Sequence, residues 1–243
     1  MNAAGKRSDF HRELSALSEE LCSRSRSGGR IAFRMRIWYF TVAFSYRLKR
    51  SFDILIAASL LILLAPLLAL VSLLIKATSP GPIIFSQIRV GRFGRHFRFY
   101  KFRSMYTDAE CRKKMLLPRN QSADGVIFKM KNDPRVTPFG RIIRKLSIDE
   151  LPQLVNVLLG DMSLVGPRPP LPSEVRQYTL EDRKRLNVIP GLTCLWQISG
   201  RSDIPFSQQV KLDKEYIRSR SIRRDFLILL KTIPVIFSGK GAY

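Results

Sequence analysis

The sequence predicts an α+β fold, in which a re-entrant membrane helix hairpin precedes a small, mainly helical domain with short strands and interfacial amphipathic helices. Three observations lead to this prediction. An uncharged apolar run spans residues 54–75, short apolar stretches and helical periodicities alternate after it, and the formal net charge is +23. This excess of positive charge implies an anionic partner, such as phospholipid head groups, nucleic acid or a phosphorylated substrate.

Composition divides the chain into five segments. The first is a basic, serine-rich lead that is predicted to be disordered. The second mixes arginines with aromatic residues, as is typical of a helix at a bilayer surface; a packed helix with solvated charges is the alternative. A hairpin, a larger domain and a C-terminal interfacial helix follow. The five segments are 1–29, 30–50, 51–78, 79–221 and 222–243.

The hairpin prediction depends on charge and on one proline. The run Ile54–Ile75 holds 22 residues without a charge, and about 20 apolar residues can span a bilayer. Residues 1–51 carry eleven Lys and Arg against four acids, and residues 76–103 carry seven against none. A simple crossing would export one of these flanks, against the positive-inside tendency. Because Pro66 breaks helical hydrogen bonding in mid-run, we expect a membrane helix that bends and returns.

The cysteines and histidines exclude several classes of site. The three cysteines, Cys22, Cys111 and Cys194, are widely spaced and predict neither a disulfide framework nor a zinc site. The two histidines, His11 and His96, lie far apart. They support neither a zinc site nor a Ser–His triad.

After the apolar run, turn and periodicity signals predict the elements of the domain. Short strands are expected at 83–85 and 97–102, separated by the glycine turn "GRFGR". Thr137 is a predicted N-cap with Pro138 at the first helical position. It opens a short basic helix, and a second helix should run from Asp149 to Leu159 and end at Gly160. Further helices are predicted at 174–187, 206–218 and 222–237.

Two adjacent carboxylates stand out in this basic chain. Asp149 and Glu150 follow Arg144 and precede Pro152 in "RKLSIDELPQL". A structural interpretation is available, because Ser147 with Glu150 three residues later has the pattern of a capping box. This interpretation needs no chemistry, and it is compatible with a catalytic role for the pair, because Ser147 could still cap the helix.

Cationic residues surround this pair in the sequence. Lys101 and Arg103 would share one face of a strand, because side chains alternate with period two. Arg144 lies in the basic helix, and Arg168 lies in the proline-stiffened loop "GPRPP". A stiff loop that presents one arginine suits phosphate binding, because the guanidinium matches phosphate oxygens. A solvated basic surface is the alternative for each cation taken alone.

The motifs "YKFRSM", "DPRVTPFGR", "KLSIDELPQLVNVLLGDMSLVGPRPP" and "PGLTCLWQISGR" occur in this order. They closely resemble those of bacterial sugar transferases, the monotopic polyprenyl-phosphate phosphoglycosyl transferases that start polysaccharide and glycoconjugate assembly. The resemblance runs from about Lys49 to the C-terminus. It implies transfer of a sugar 1-phosphate from a UDP-sugar to a polyprenyl phosphate, with undecaprenyl phosphate as the expected carrier and UMP as the product.

The resemblance also implies residue roles. Asp149 would be the nucleophile that forms an aspartyl-phosphosugar, and Glu150 would hold Mg²⁺. Lys101, Arg103, Arg144 and Arg168 would contact diphosphate or the acidic pair, and Gln197 and Arg201 would contact nucleotide or sugar. Residues 79–221 would then form the catalytic domain, facing the cytoplasm at the bacterial inner membrane. Anionic lipids are expected partners, and nucleic acid is not.

Two positions depart from the family pattern. Ala65 precedes Pro66 where family members often have serine, so no hydroxyl is present there to satisfy a freed backbone carbonyl. Cys194 replaces a usual glycine, which matters if that position needs a positive φ.

Two other functions remain open from the residues. One is a non-catalytic basic adaptor that binds membrane or nucleic acid, in which the acidic pair would only cap a helix. The other is a hydrolase that uses the same aspartyl intermediate with water as acceptor. The transferred sugar is not predicted: galactose, glucose and N-acetylated sugars all fit the sequence.

Overall fold

The computed structural model describes residues 28–121, 126–239 and 241. The predicted lead, 1–29, lies almost wholly outside the described residues. The described chain contains both helices and strands and is mostly helical, which is consistent with the predicted α+β class. It divides between Asp53 and Ile54 into two units. The helices and strands are α1 Gly28–Leu63, α2 Ala65–Thr78, β1 Ile84–Val90, β2 His96–Phe102, α3 Ala109–Leu116, α4 Pro138–Lys145, α5 Gln153–Leu159, β3 Ser163–Val165, α6 Pro172–Val175, α7 Leu180–Arg183, β4 Gly191–Thr193, α8 Leu195–Ile198, α9 Phe206–Arg218 and α10 Ile222–Ser238.

The first unit contains the N-terminal part of α1. Its aromatic side chains are largely solvent-exposed, including Phe33, Trp38 and Phe40. The rings of Phe40 and Phe44 stack with their centroids 6.3 Å apart, as expected for residues four apart on a helix.

The apolar run forms the end of α1 and all of α2, which meet at Leu64. The two helices bend by 62° at this break, and Pro66 occupies the first turn of α2, where its missing N–H costs no helical hydrogen bond. Within the described residues, no single helix has the length and apolarity needed to cross a membrane. The bent pair Phe33–Leu63 and Ala65–Thr78 meets that test jointly, by length and composition only.

Two small sheets support the second unit. β1 and β2 form an antiparallel hairpin in which Ile84 pairs with Phe102 and Val90 pairs with His96. The turn between them contains the glycines that the sequence analysis identified. β3 and β4 pair in parallel, with Ser163 opposite Gly191.

The main core of this unit lies between α5, β3, α9 and α10. Its buried members include Leu154, Val157, Leu164, Tyr216 and Ile228. A second cluster joins α2 to the end of β2 and to α4 through Val71, Ile75, Phe102 and Ile143. Each fully buried aliphatic side chain contributes about 1.5–3 kcal/mol, so these clusters hold α4, β2 and α5 firmly in place around the acidic pair.

Several predicted helices are confirmed and two need correction. α9 begins and ends at the predicted residues, α10 extends one residue further than predicted, and Thr137 Oγ1 accepts from Gly140 N at 2.9 Å as the predicted cap of α4. The predicted helix at 174–187 is instead split into α6, α7 and a 3₁₀ turn, Lys184–Asn187. The helix expected from Asp149 begins only at Gln153, because a separate 3₁₀ turn, Ile148–Glu150, precedes it.

Candidate active site

The acidic pair lies on the 3₁₀ turn between α4 and α5. The capping-box prediction is wrong: Ser147 adopts φ 55°, and its side chain makes no cap hydrogen bond. Its hydroxyl instead accepts from Arg201 Nη2 at 3.1 Å. The left-handed backbone at Ser147 ends α4 and redirects the chain, so that Asp149 and Glu150 point toward β2 rather than along a helix.

Lys101 on β2 meets both carboxylates. Its Nζ lies 2.6 Å from Glu150 Oε1 and 3.6 Å from Asp149 Oδ2. The Lys101 side chain is 17% exposed and that of Glu150 is 19% exposed. This charge-assisted hydrogen bond is therefore partly shielded from water, which strengthens it. The shorter contact goes to Glu150 and the longer one to Asp149.

The side chain of Asn156 fixes α5 against β2. Its Oδ1 accepts from Tyr100 N at 3.1 Å, and its Nδ2 donates to Arg98 O at 2.6 Å. These bonds satisfy two backbone groups at the sheet edge next to Lys101, and Asn156 is fully buried. Sequence reasoning missed this residue, although an amide among the apolar residues of "QLVNVLL" is a usable signal, since buried amides need partners.

Three arginines approach the pair from separate segments. Arg168 Nη1 lies 3.8 Å from Glu150 Oε1. Arg201 reaches Ser147, directly beside the turn, with its own backbone at φ 52°. Arg144, in the last turn of α4, favours the ionised form of Asp149 electrostatically.

The loop that carries Arg168 is held by backbone contacts. Gly191 N donates to Pro167 O at 2.9 Å, and Val90 N donates to Pro170 O at 2.9 Å. A Cβ at Gly191 would lie 2.0 Å from Gly166 N, so the close approach of β4 to this loop requires glycine.

Arg103 and Gln197 have partners away from the carboxylates. Arg103 is buried, and its Nη2 donates to the carbonyl and the hydroxyl of Ser79, both at 2.7 Å. Gln197 Oε1 accepts from the Cys194 thiol at 3.2 Å. Cys194 has φ −153°, so this position needs no glycine here. Substrate contact by Arg103 and by Gln197 stays a prediction.

The different environments of Asp149 and Glu150 shift their pKa values in opposite directions. Burial raises the pKa of Asp149, and the neighbouring Glu150 adds to this, while Lys101, Arg144 and Arg168 oppose it. Burial also disfavours the charge of Glu150, but Lys101 and Arg168 outweigh it and lower the pKa of Glu150 to about 2. Two carboxylates whose pKa values are driven in opposite directions are suited to different roles.

One cleft with a volume of about 560 Å³ joins these groups. This volume lies within the range of sites for small molecules and cofactors. All eight side chains predicted from the sequence line it, together with apolar residues such as Phe85 and Phe99. The predicted eight are Lys101, Arg103, Arg144, Asp149, Glu150, Arg168, Gln197 and Arg201.

The donor set around the pair limits how a metal could bind. Within the described residues, no group of three or more His, Cys, Asp or Glu side chains could hold a metal ion. Mg²⁺ is commonly held by one or two carboxylates together with substrate phosphates and water. Asp149 and Glu150 therefore fit Mg²⁺ if a phosphorylated ligand supplies the other oxygens.

The chain is similar in sequence to a family of bacterial enzymes and to several named relatives. A family model described as bacterial sugar transferase matches residues 44–239. Galactosyl transferase CpsE of Streptococcus agalactiae serotype III is 57% identical over 163 residues, covering 67% of this chain and 36% of that protein. Undecaprenyl-phosphate galactose phosphotransferase of Salmonella typhimurium is 45% identical over 200 residues, covering 81% and 42%.

A shorter relative matches over most of its length. Exopolysaccharide production protein ExoY of Sinorhizobium fredii is 41% identical over 198 residues, which cover 80% of this chain and 88% of that protein. This chain thus spans less than half of the first two relatives and most of the third. The family model covers the acidic pair, its cations, the break at Leu64 and all of α2, and the chain belongs to the bacterial sugar transferase family.

Proposed function

We propose that this protein transfers a sugar 1-phosphate from a UDP-sugar to a membrane polyprenyl phosphate, releasing UMP, and that undecaprenyl phosphate is the acceptor. The observation that carries the proposal is the Asp149–Glu150 pair, in which Asp149 is buried and Glu150 is partly buried, contacted by Lys101 and Arg168 in a basic cleft. The names of related proteins as undecaprenyl-phosphate sugar phosphotransferases support the same reaction class.

The proposed reaction has two steps. An oxygen of Asp149 attacks the phosphorus that bears the sugar, the bond from that phosphorus to the bridging oxygen breaks, and UMP leaves. An oxygen of the polyprenyl phosphate then attacks the same phosphorus and releases the Asp149 carboxylate. One phosphoanhydride is broken and another is made, so the exchange needs no ATP. A covalent intermediate lets two mutually repelling anions react one at a time.

The cations reduce the electrostatic repulsion between the reactants in the first step. A carboxylate must approach a diphosphate, and positioning and charge neutralisation dominate phosphoryl transfer. Arg168 and Lys101 lie where the diphosphate would reach the pair, and Arg144 and Arg201 add charge to the same cleft. Glu150 would hold Mg²⁺ together with diphosphate oxygens, and the ion would neutralise further negative charge.

We place the acceptor at the membrane because of the apolar surfaces of the second unit. Leu70, Leu73, Leu230, Ile233 and Phe237 on α2 and α10 are exposed, which is costly in water but not in lipid. With the basic flanks on one side, the α1–α2 bend would be a re-entrant hairpin of the bacterial inner membrane, and the catalytic domain would face the cytoplasm. Labelling of Cys22 or of the exposed Cys111 by an impermeant thiol reagent added to intact cells would contradict this topology.

The test measures UMP release by protein in lipid nanodiscs, supplied with Mg²⁺, polyprenyl phosphate and a panel of UDP-sugars. Asp149→Asn should abolish release, and removal of divalent cations by EDTA should do the same. Asp108→Asn is the matched control, because Asp108, directly before α3, is exposed and its side chain pairs with the exposed Arg112 four residues later. Undiminished release by Asp149→Asn would overturn the proposal, and release of UMP without any lipid product would favour a hydrolase.

A further inference from the structure

Arg89 on β1 is a buried cation without an acidic partner. Arg89 is only 8% exposed, and its guanidinium lies 5.1 Å from the centroid of the Phe99 ring. Across the part of the chain that the structure describes, no carboxylate lies within salt-bridge distance of it. Glu174 and Glu150 favour the charge of Arg89 from beyond that distance, but burying a charge without a direct ion pair is costly, so this placement calls for an explanation.

The hydrogen bonds of Arg89 lead to the loop that carries Arg168. Its Nη1 donates to Pro169 O at 3.1 Å, and its Nη2 donates to Gln87 Oε1 at 3.0 Å. Next to it on β1, Val90 N donates to Pro170 O at 2.9 Å. The end of β1 therefore holds the two residues that follow Arg168.

The start of the loop is held by backbone bonds to β4, in which Gly191 N donates to Pro167 O at 2.9 Å and Gly166 N donates to Thr193 O at 3.0 Å. In "GPRPP", three of five residues are prolines and have no N–H to donate. The loop must be fixed mainly through its carbonyls, and a buried guanidinium can bridge one of them to a second anchor. A lysine has a single nitrogen on a flexible stem and cannot reproduce this planar, two-nitrogen contact.

Both terminal nitrogens of Arg89 donate to protein groups, while its buried Nε has no partner. Arg89 and Arg168 both line the cleft, and Arg168 is the one whose guanidinium lies 3.8 Å from Glu150. Burial, followed by repulsion from Arg168, lowers the pKa of Arg89 to about 10 against the opposing effects of Glu174 and Glu150, so Arg89 stays charged at neutral pH. It thus adds a permanent positive charge to the cleft next to the Arg168 loop.

We propose that Arg89 is a positioning residue, which holds the Arg168 loop against β1 so that the Arg168 guanidinium is preorganised for the diphosphate beside Glu150. This inference rests on the proposed function. It predicts that Arg89 acts through Arg168, so that the two residues form one functional unit.

The test is a double-mutant cycle in the nanodisc assay with Arg89→Lys, Arg168→Lys and the double variant. Each single variant should raise KM for the UDP-sugar and lower kcat/KM about tenfold, because each weakens a hydrogen-bonded contact made by a charged donor. The double variant should be at most about threefold worse than Arg168→Lys. Arg98→Lys is the matched control, because Arg98 lies on the same hairpin with its side chain exposed on the other face.

Hydrogen–deuterium exchange needs no turnover, so it tests this inference independently of the proposed function. In Arg89→Lys, hydrogen–deuterium exchange should speed up in peptides that contain Val90 and residues 166–171, and Arg98→Lys should leave both unchanged. Fully multiplicative kinetic losses in the double variant would overturn the inference. Unchanged exchange in Arg89→Lys would also overturn it, whether or not the parent protein releases UMP.

Discussion

Neutralising the two adjacent carboxylates should change stability in opposite directions. Glu150→Gln removes a charge that the folded protein favours, because Lys101 and Arg168 outweigh the burial penalty and lower the pKa of Glu150. Asp149→Asn removes a charge that the folded protein disfavours, because burial raises the pKa of Asp149. We therefore expect Glu150→Gln to destabilise the protein at pH 7 and Asp149→Asn to leave it equally or more stable.

The magnitude for Glu150 follows from its pKa. A fall from 4.5 to about 2 corresponds to about 3 kcal/mol, at 1.36 kcal/mol per pH unit. This is an upper limit, because the glutamine oxygen can still accept a hydrogen bond from Lys101. A loss of about 1–3 kcal/mol in the free energy of unfolding is expected for Glu150→Gln.

The pH dependence has a defined sign for each residue. Since the pKa of Glu150 is lowered on folding, its contribution is complete above pH 4.5 and is lost as the pH falls toward 2. The parent should therefore lose stability faster than Glu150→Gln over this range. The pKa of Asp149 is raised, so the ionised carboxylate opposes folding above that pKa. The advantage of Asp149→Asn should therefore be larger at pH 7 than at pH 4.

Urea unfolding of the detergent-solubilised protein measures these differences. Trp196 is buried in the cleft wall and reports unfolding, and a Trp38→Phe background removes the other tryptophan. Asp108→Asn should shift the free energy of unfolding by no more than about 0.5 kcal/mol, as expected for an exposed helical pair. Equal destabilisation by Asp149→Asn and Glu150→Gln would refute the assignment of opposite environments.

Three further outcomes are expected. Asn156→Leu should cost about 2–4 kcal/mol in urea unfolding and slow UMP release, because it leaves Tyr100 N and Arg98 O unpaired next to Lys101. Asp213→Ala should cost about 3–5 kcal/mol, because it leaves buried Arg185, 2.6 Å from Asp213, without its counter-charge, and an Arg185→Met/Asp213→Leu double variant should cost less in the same measurement. A maleimide should modify exposed Cys111 in the folded protein but Cys194 only after denaturation, since Cys194 is buried and burial raises its pKa, and peptide mass mapping would distinguish the two.

Local patterns predicted the elements whose signals are self-contained. The cap at Thr137, the strand around Phe99 and the amphipathic repeat of α9 each depend on residues within one or two turns. The segment around Ser147 could not be predicted in this way. Its conformation depends on Arg201, which lies 54 residues further along the chain, and the same letters also fit a capping box.

In the candidate site, too, some features were predictable from the sequence and others were not. Side-chain chemistry selected Lys101, Arg103, Arg144 and Arg168 beside the two carboxylates, and the family resemblance added Gln197 and Arg201; all of these side chains line the cleft. The partner of each cation was not predictable. Arg103, expected to serve with Lys101, donates to Ser79, and Asn156 and Arg89 act through backbone carbonyls that have no sequence signature.

Asp149, the proposed nucleophile, lies among several cations, and a tight ion pair with one of them would lower its reactivity. The geometry of this cleft offers a solution. Lys101 forms its short contact, 2.6 Å, with Glu150 and remains 3.6 Å from Asp149. Lys101 is thus paired mainly with Glu150, while burial raises the pKa of Asp149. Of the three non-glycine residues with positive φ among those described, Ser147 and Arg201 flank this turn and hydrogen-bond to each other. Backbone strain of this kind costs about 1–3 kcal/mol per residue and persists where the surroundings enforce it. We infer that it maintains the unequal distances on which the proposed reactivity of Asp149 depends.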